Sequence, residues 1–497
     1  MSVVWLKRDL RLRDHEPLQA AASQGFPILL LYIFEPMLMA DRHYSVRHWR
    51  FVWQSIMQLN MQLVEYNAQV LVVDSDAEST FSKLAASFEI KGVYSHEEVG
   101  LKNTFDRDLS LKTLFASEGI SWFEYQTGAV RRGLLGRTTW DKQWHLIMRG
   151  ACADVELSDV NWLSKESIIF KNNHFKPRKD WEENHAGFQP GGEIQAWQTL
   201  NHFLELRGQK YAYHISSPSK SRKSCSRMSA YLAWGNISLR QVYQRTLLEW
   251  NKQGWRRSLV AFVSRLHWHC HFIQKFESEC EMEFRHVNRA YERFPYLDKN
   301  KQSSLLSAWQ NGTTGYPLVD AAMRCLLATG YVNFRMRAML VSFLCHHLNI
   351  DWRFGVEHLA SLFLDFEPGI HYSQFQMQAG VTGANTIRIY NPVKQSQEKD
   401  PEGLFIKRWL PELGHVPVPL IHEPWLLSDL EMMMYQVKLG DNYPLPIVDI
   451  QETGKRARDL LWQYRKREDV RQESKRIISK HVVPNRRKQS GFLKRTK

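Results

Sequence analysis

The chain has 497 residues, 43% hydrophobic and 24% charged, which is too long for one ordinary core and suits a globular protein of two domains. The opening MSVVWLKRDLRLRD puts charge where a secretion signal needs an apolar run, and no stretch reaches about 18 uninterrupted apolar residues. A cytoplasmic protein with no membrane contact, most simply a monomer, is expected. The six cysteines form no CxxC pair and read as structural thiols of a reducing compartment. Of the net charge of +14, about +12 lies in residues 454–497, which hold sixteen Lys/Arg against four Asp/Glu. That segment reads as a solvated basic tail, able to add salt-sensitive affinity for phosphates.

The first 130 residues alternate short β-branched runs with amphipathic ones. Strands are expected at 3–6, 27–34, 68–74, 92–96 and 120–125, and helices at 46–65 and 77–89. This is the pattern of a Rossmann-like α/β domain, residues 1–130, with a parallel sheet. It carries no GxGxxG and no GxxxxGK[ST] cradle. Residues 131–193, rich in Trp, Asn, Lys and Gly, read as a long surface connector. Strand signals then nearly vanish, and helical periodicity at 194–207, 239–253, 258–276, 305–310, 318–329, 333–348 and 356–366 predicts an all-α domain over 194–453.

Three stretches bear on chemistry. The loop KRDLRLRD follows the first strand, where ligands of parallel sheets sit, although an Arg/Asp cluster that merely fixes the loop fits equally. SCSRMS, 224–229, puts hydroxyls and a turn ahead of a helix, which suits either a phosphate site or a plain N-cap. The long run 333–392 places Arg335, Arg337, Asp365, Glu367 and His371 among apolar residues, and such charges need partners.

Taken with SRMSAYLAWGNIS, AWQNGTTGYPLVDAAMR, RMRAML, IDW, RIYNPVKQS and FIKRWLPEL, these stretches resemble the DNA photolyase/cryptochrome flavoproteins along nearly the whole chain. The resemblance implies an antenna-type α/β domain and a helical domain holding FAD in a bent shape. It implies that Tyr213 contacts phosphate, and that Cys225, Ser226, Arg227, Met228 and Ser229 match the family's T-S-R-L-S phosphate loop. Cys225 replaces a hydroxyl there, and a thiol is a weak donor. Arg337 and Asp365 match a bidentate pair at the flavin edge, with Phe366 and Glu367 beside it. His371 stands where relatives have Asn facing the reactive ring nitrogen; it could tune the ring or be a satisfied core histidine. Trp352 matches the middle of a three-tryptophan electron chain.

Departures cluster at the repair pocket. FVSRLHWHCHF, 262–272, keeps one stacking residue, Trp268, but has Arg265 where the family has a lesion-binding acid. Phe375 and Met377 replace two tryptophans, so the usual photoreduction route looks interrupted. Phe334 and Ala338 replace the histidines that mark (6-4) photolyases. Among His267, His269, His271, His346 and His347 no third ligand converges in the sequence, and no metal site is expected. The resemblance implies a blue-light DNA photolyase acting on UV-damaged DNA, with Trp268, Trp352, His371 and Met377 serving the reaction and Arg265, Trp268, Arg335 and Arg388 touching DNA. The alternative is a cryptochrome-like photoreceptor without repair. A second, antenna chromophore is possible, its identity open.

Overall fold

A computed structural model of the chain describes residues 1–482, so the end of the basic tail, 483–497, lies outside the described residues. Five strands, β1 (Ser2–Leu6), β2 (Ile28–Phe34), β3 (Val70–Asp74), β4 (Gly92–His96) and β5 (Trp122–Tyr125), form one parallel sheet in the order β3-β2-β1-β4-β5. Val4 stands opposite Leu30 on one side and Tyr94 on the other. β1 and β2 are buried along their whole length, as apolar runs covered on both faces of a parallel sheet must be.

The strand order reverses beside β1, so a crevice opens at the carboxyl ends of β1 and β4. There His96 Nδ1 donates to Asp9 at 2.6 Å and His15 Nε2 lies 3.0 Å from the same oxygen. Burial alone would raise the Asp9 pKa, but the two imidazoles hold it well below the usual carboxylate range.

Most predicted helices form. They include Val46–Leu63, Glu193–Glu205, Arg256–Ser278 and Pro317–Thr329. Two readings change. The connector is not a bare surface loop: the Trp140–Arg149 helix turns Trp140, Trp144 and Met148 into the core, and Trp181 packs 4.6 Å from Phe34. The basic tail is not a solvated arm over its described length, because it folds into the helices Ile450–Lys466 and Glu468–His481. Ala457, Leu461, Val470 and Ile477 are buried, and Arg476 pairs with Glu279 at 2.7 Å. The charge count had hidden a sparse apolar stripe at helical spacing. No described helix is long and apolar enough to cross a membrane, and all six cysteines are free thiols.

The two domains meet where the β1 loop crosses the turn after Trp234. Leu10 N–H donates to the Trp234 carbonyl at 3.2 Å, and Asn236 donates to the Leu10 carbonyl at 3.1 Å. Gly235, at φ +68°, lies so close that a Cβ would stand 2.1 Å from the Arg8 carbonyl oxygen. Both the left-handed backbone and the contact demand glycine. Gly235→Ala is expected to destabilise the protein by about 3 kcal/mol or more, read as a lower urea midpoint at unchanged slope.

Candidate functional site

A cavity of about 700 Å³ opens between the Arg256–Ser278, Phe334–Ser342 and Pro368–Gln378 helices and the 225–229 loop. Gly369 lets the first and last of these pack closely, since a Cβ there would meet the Ile273 Cα at 2.7 Å. Cys225, Ser226, Arg227, Met228, Ser229, Arg337, Asp365, Phe366, Glu367 and His371 all line it, so the structure brings ten of the eleven residues read as cofactor-binding to one cavity. Tyr213 is the exception. It is 62% exposed under the Arg257 guanidinium and does not line the cavity, which takes Tyr211 from the same turn instead.

The phosphate-loop candidate is a turn, not a helix start of any length, because the helix that follows runs only from Ser229 to Ala233. Arg227 holds the turn at φ +60°, its guanidinium 3.7 Å above the Tyr331 ring and 2.9 Å from Gln189 Oε1. Arg207 donates to the carbonyls of Cys225 and Ser226. Among the described residues no carboxylate lies within ion-pair distance of Arg207, Arg222 or Arg227. Burial, and then their mutual repulsion, pushes Arg207 down to about 10, and burial lowers Arg227 as well. Burial pushes the Cys225 thiol up to about 11, so it stays protonated.

Deeper in the cavity, one Arg337 nitrogen, Nη2, meets both Asp365 oxygens, at 2.8 and 2.7 Å, while its Nε donates to the Val332 carbonyl at 3.2 Å. This is a bridging contact rather than the fork-to-fork pairing expected from the sequence. Burial would raise Asp365, but the charge and hydrogen bonds of Arg337 hold it below the usual value. Glu367 is raised by burial, with Arg8 of the β1 loop 3.4 Å away pulling it part of the way back. His371 donates from Nε2 to the Val356 carbonyl at 2.9 Å. A carbonyl only accepts, so Nδ1 keeps its lone pair, and burial lowers the ring's pKa to about 3.

Trp268, Met377, Arg265, Phe334 and Arg388 also line the cavity, and Arg388 is shared with an adjoining groove formed with Arg335, Tyr390, Arg458 and Trp462. Arg335 sits in that groove, hydrogen-bonded to Tyr390 at 3.2 Å, and not in the cavity. Trp352 is fully buried one layer back, its ring 6.5 Å from Phe375.

Sequence reasoning missed His269 and Gln374, which line the cavity and each carry a buried polar atom, Nδ1 and Oε1, with no hydrogen-bond partner. It also missed Arg8 and Arg207, since nothing local links them to the site. The other histidines are satisfied structurally: His267 by Asp141, His346 by Ser342 and Ala379, His347 by Thr453 and Tyr390. The close group of metal-ligand types among the described residues is instead Asp9, His15 and His96, already engaged with one another.

The arrangement fits a long, planar, polyanionic ligand. The Arg227 guanidinium, without a carboxylate, suits a phosphate, the Arg337–Asp365 pair and two unpartnered polar atoms suit a heterocycle's edge, and the apolar walls suit its faces. Asp365 contributes stability that is complete above the unfolded carboxyl value of about 4 and is lost as pH falls below it. Arg337→Met is therefore expected to cost about 3–5 kcal/mol at pH 7 by stranding the buried carboxylate, and much less near pH 3, in urea unfolding at the two pH values.

Comparison with known proteins agrees with this geometry. Residues 2–131 match the DNA photolyase family model, and residues 262–463 match the model for the FAD binding domain of DNA photolyase. The chain is 29% identical to the deoxyribodipyrimidine photo-lyase of Alkalihalophilus pseudofirmus, over 92% of this chain and 97% of that one. It is 28% identical to the cryptochrome DASH of Synechocystis sp., again over 92% and 97%. A solved Synechocystis cryptochrome structure superposes with a TM-score of 0.80 at 26% identity, covering 93% of this chain and 99% of that one. With two family models matched in order over more than half of its length, the chain belongs to the DNA photolyase/cryptochrome family.

Proposed function

We propose that the chain is a light-driven DNA lyase that binds FAD in the cavity and splits pyrimidine dimers in UV-damaged DNA. The observation that carries this reading is the cavity itself: Arg227, without a carboxylate in ion-pair distance, and the Arg337–Asp365 pair both line it, and it shares Arg388 with an adjoining arginine groove. Bound there, FAD would supply light absorption and one-electron transfer, so no side chain need act as general acid or base.

The chain's own residues bind and orient. Arg227 takes phosphate, with Arg207 fixing the turn that presents it. Arg337, held by Asp365, donates to the edge of the ring system. His371, neutral at any physiological pH, offers Nδ1 as an acceptor to a ring N–H. At the mouth Trp268 stacks on the extruded base pair beside Met377, while Arg265 donates where an acid would accept. Arg388 and Arg335 take phosphates of the damaged strand. A second chromophore would occupy the interdomain crevice near His96, Glu98 and Glu367, a space of about 130 Å³ that would have to widen to admit one.

A photoreceptor without repair is the second reading, favoured by the reversed charge at Arg265 and by Phe375 and Met377. The test is dimer loss from a damaged oligonucleotide under blue light after chemical reduction of the bound flavin. Loss under light and none in darkness is expected; a flavin-loaded, reduced protein that leaves dimers intact would leave only the photoreceptor. Arg265→Glu is expected to raise repair. Arg388→Ala and Arg335→Ala should each weaken binding and lower the salt slope of DNA affinity by about 1.

A further inference from the structure

Two tyrosines near Trp352, Tyr372 in ring contact with it and Tyr296 one histidine away, each carry a built-in proton acceptor. Tyr372, 2% exposed, has its hydroxyl 2.6 Å from His43 Nε2, and His43 Nδ1 lies 2.6 Å from Asp41. Asp41 also accepts from the His43 N–H at 2.9 Å and from Asn103 at 2.8 Å. Burial opposes its charge, yet these hydrogen bonds hold it below the usual value, so it is ionised and only accepts. His43 Nδ1 therefore carries the hydrogen, and Nε2 offers its lone pair to the phenol.

The second set repeats the first. Tyr296, partly exposed, has its hydroxyl 2.9 Å from His286 Nε2, and His286 Nδ1 lies 3.0 Å from Glu292. Burial lowers His286, keeping it neutral, and the hydrogen bonds from His286 hold Glu292 down against its own partial burial. Burial raises both phenols, so each keeps its proton at rest. Trp352 connects the two sets, its ring 6.1 Å from Tyr372 and 5.9 Å from His286, and its indole N–H has no acceptor. The inner set abuts the cavity: His43 stacks at 5.3 Å on Phe366, and the Tyr372 ring is 6.1 Å from His371. Packing explains one such hydrogen bond, not a phenol, a base and an ionised carboxylate in series twice over beside one tryptophan.

The geometry points to a proton-coupled electron path, Tyr296 to Trp352 to Tyr372, feeding the cavity where Phe375 breaks an all-tryptophan route; it rests on the reading that the cavity holds FAD. Tyr372 gives one electron to the light-excited oxidised isoalloxazine, and its hydroxyl proton passes to His43 Nε2, whose imidazolium is paired with Asp41. Trp352 returns an electron to Tyr372, which recovers its proton from His43. Tyr296 then refills Trp352 while its proton moves to His286 beside Glu292. The balance is one electron delivered to the cavity, one neutral radical on Tyr296 and one proton on His286. A soluble thiolate restores Tyr296 from the surface with one electron and leaves as a thiyl radical, and the proton returns from His286 to the phenol.

The test is electron paramagnetic resonance of the FAD-loaded full chain after blue light, with and without ring-deuterated tyrosine. The expected radical narrows on tyrosine deuteration, forms at least two-fold more slowly in D₂O, and falls at least ten-fold in yield in Tyr372→Phe and in His43→Leu. Tyr296→Phe, at a partly exposed position, is expected to shorten the radical's lifetime at least ten-fold. A flavin-loaded chain whose radical ignores the deuterium label, or that photoreduces unchanged as Tyr372→Phe, overturns the path alone. A chain whose absorption spectrum shows no bound flavin overturns the cavity reading and the path with it.

Discussion

Guanidiniums gathered with no carboxylate in ion-pair distance are the constraint on which the phosphate-loop turn depends. Arg207, Arg222 and Arg227 stand near one another with carbonyl, amide and hydroxyl oxygens, the His202 ring, the Cys325 thiol and the Tyr331 ring to receive them. Partial burial makes this arrangement costly, and the left-handed backbone at Arg227 adds to it. A protein keeps such a cluster where an anion belongs, and an anion bound there stabilises the fold by mass action. The remaining polar features of the cavity, from the Arg337–Asp365 bridge to the unpartnered atoms of His269 and Gln374, follow the same logic at the other end of an elongated ligand.

The cavity is braced from the α/β part of the chain. Arg8 leaves the end of β1, donates to the carbonyls of Ala233 and Phe366, and stands beside Glu367. The α/β part of the chain thus reaches the cavity through Glu367, the cavity-lining partner of Arg8, and Gly235 permits the approach. The carboxyl-end crevice of the sheet faces the same Glu367 from the other side. A change at the sheet's switch point can therefore reach the cavity through two residues.

The mouth and the interior of the cavity answer different questions. The interior gathers ten of the eleven residues that the family resemblance assigns to the cofactor, whereas the mouth carries Arg265 and Met377 where that resemblance leads one to expect an acid and a tryptophan. Phe375 stands in the interior where the resemblance leads one to expect a tryptophan, and the Tyr–His–carboxylate sets near Trp352 occupy the neighbouring layer. Substitution at one link of an electron path is tolerable where a phenol with its own base lies within reach, because losing the proton makes losing the electron easier.

Residue patterns alone determined the parallel sheet, the helical second domain and the segments that form the cavity, since those follow from apolar periodicity and from motifs read in order. Periodicity was also present in the connector and the tail, but aromatic clutter around Trp140 and charge around Leu461 masked it. Local sequence assigned Cys225 to Ser229, Arg337, Asp365 and His371 to one site because each lies in a motif. Only the tertiary structure could add Arg8, Arg207 and His269, exchange Tyr213 for Tyr211, turn the expected fork into a one-nitrogen bridge, and set His43 against Tyr372 across more than three hundred residues. A motif fixes which side chains are available; which of them meet, and whether a proton has somewhere to go, is decided by packing between segments that are far apart in the chain.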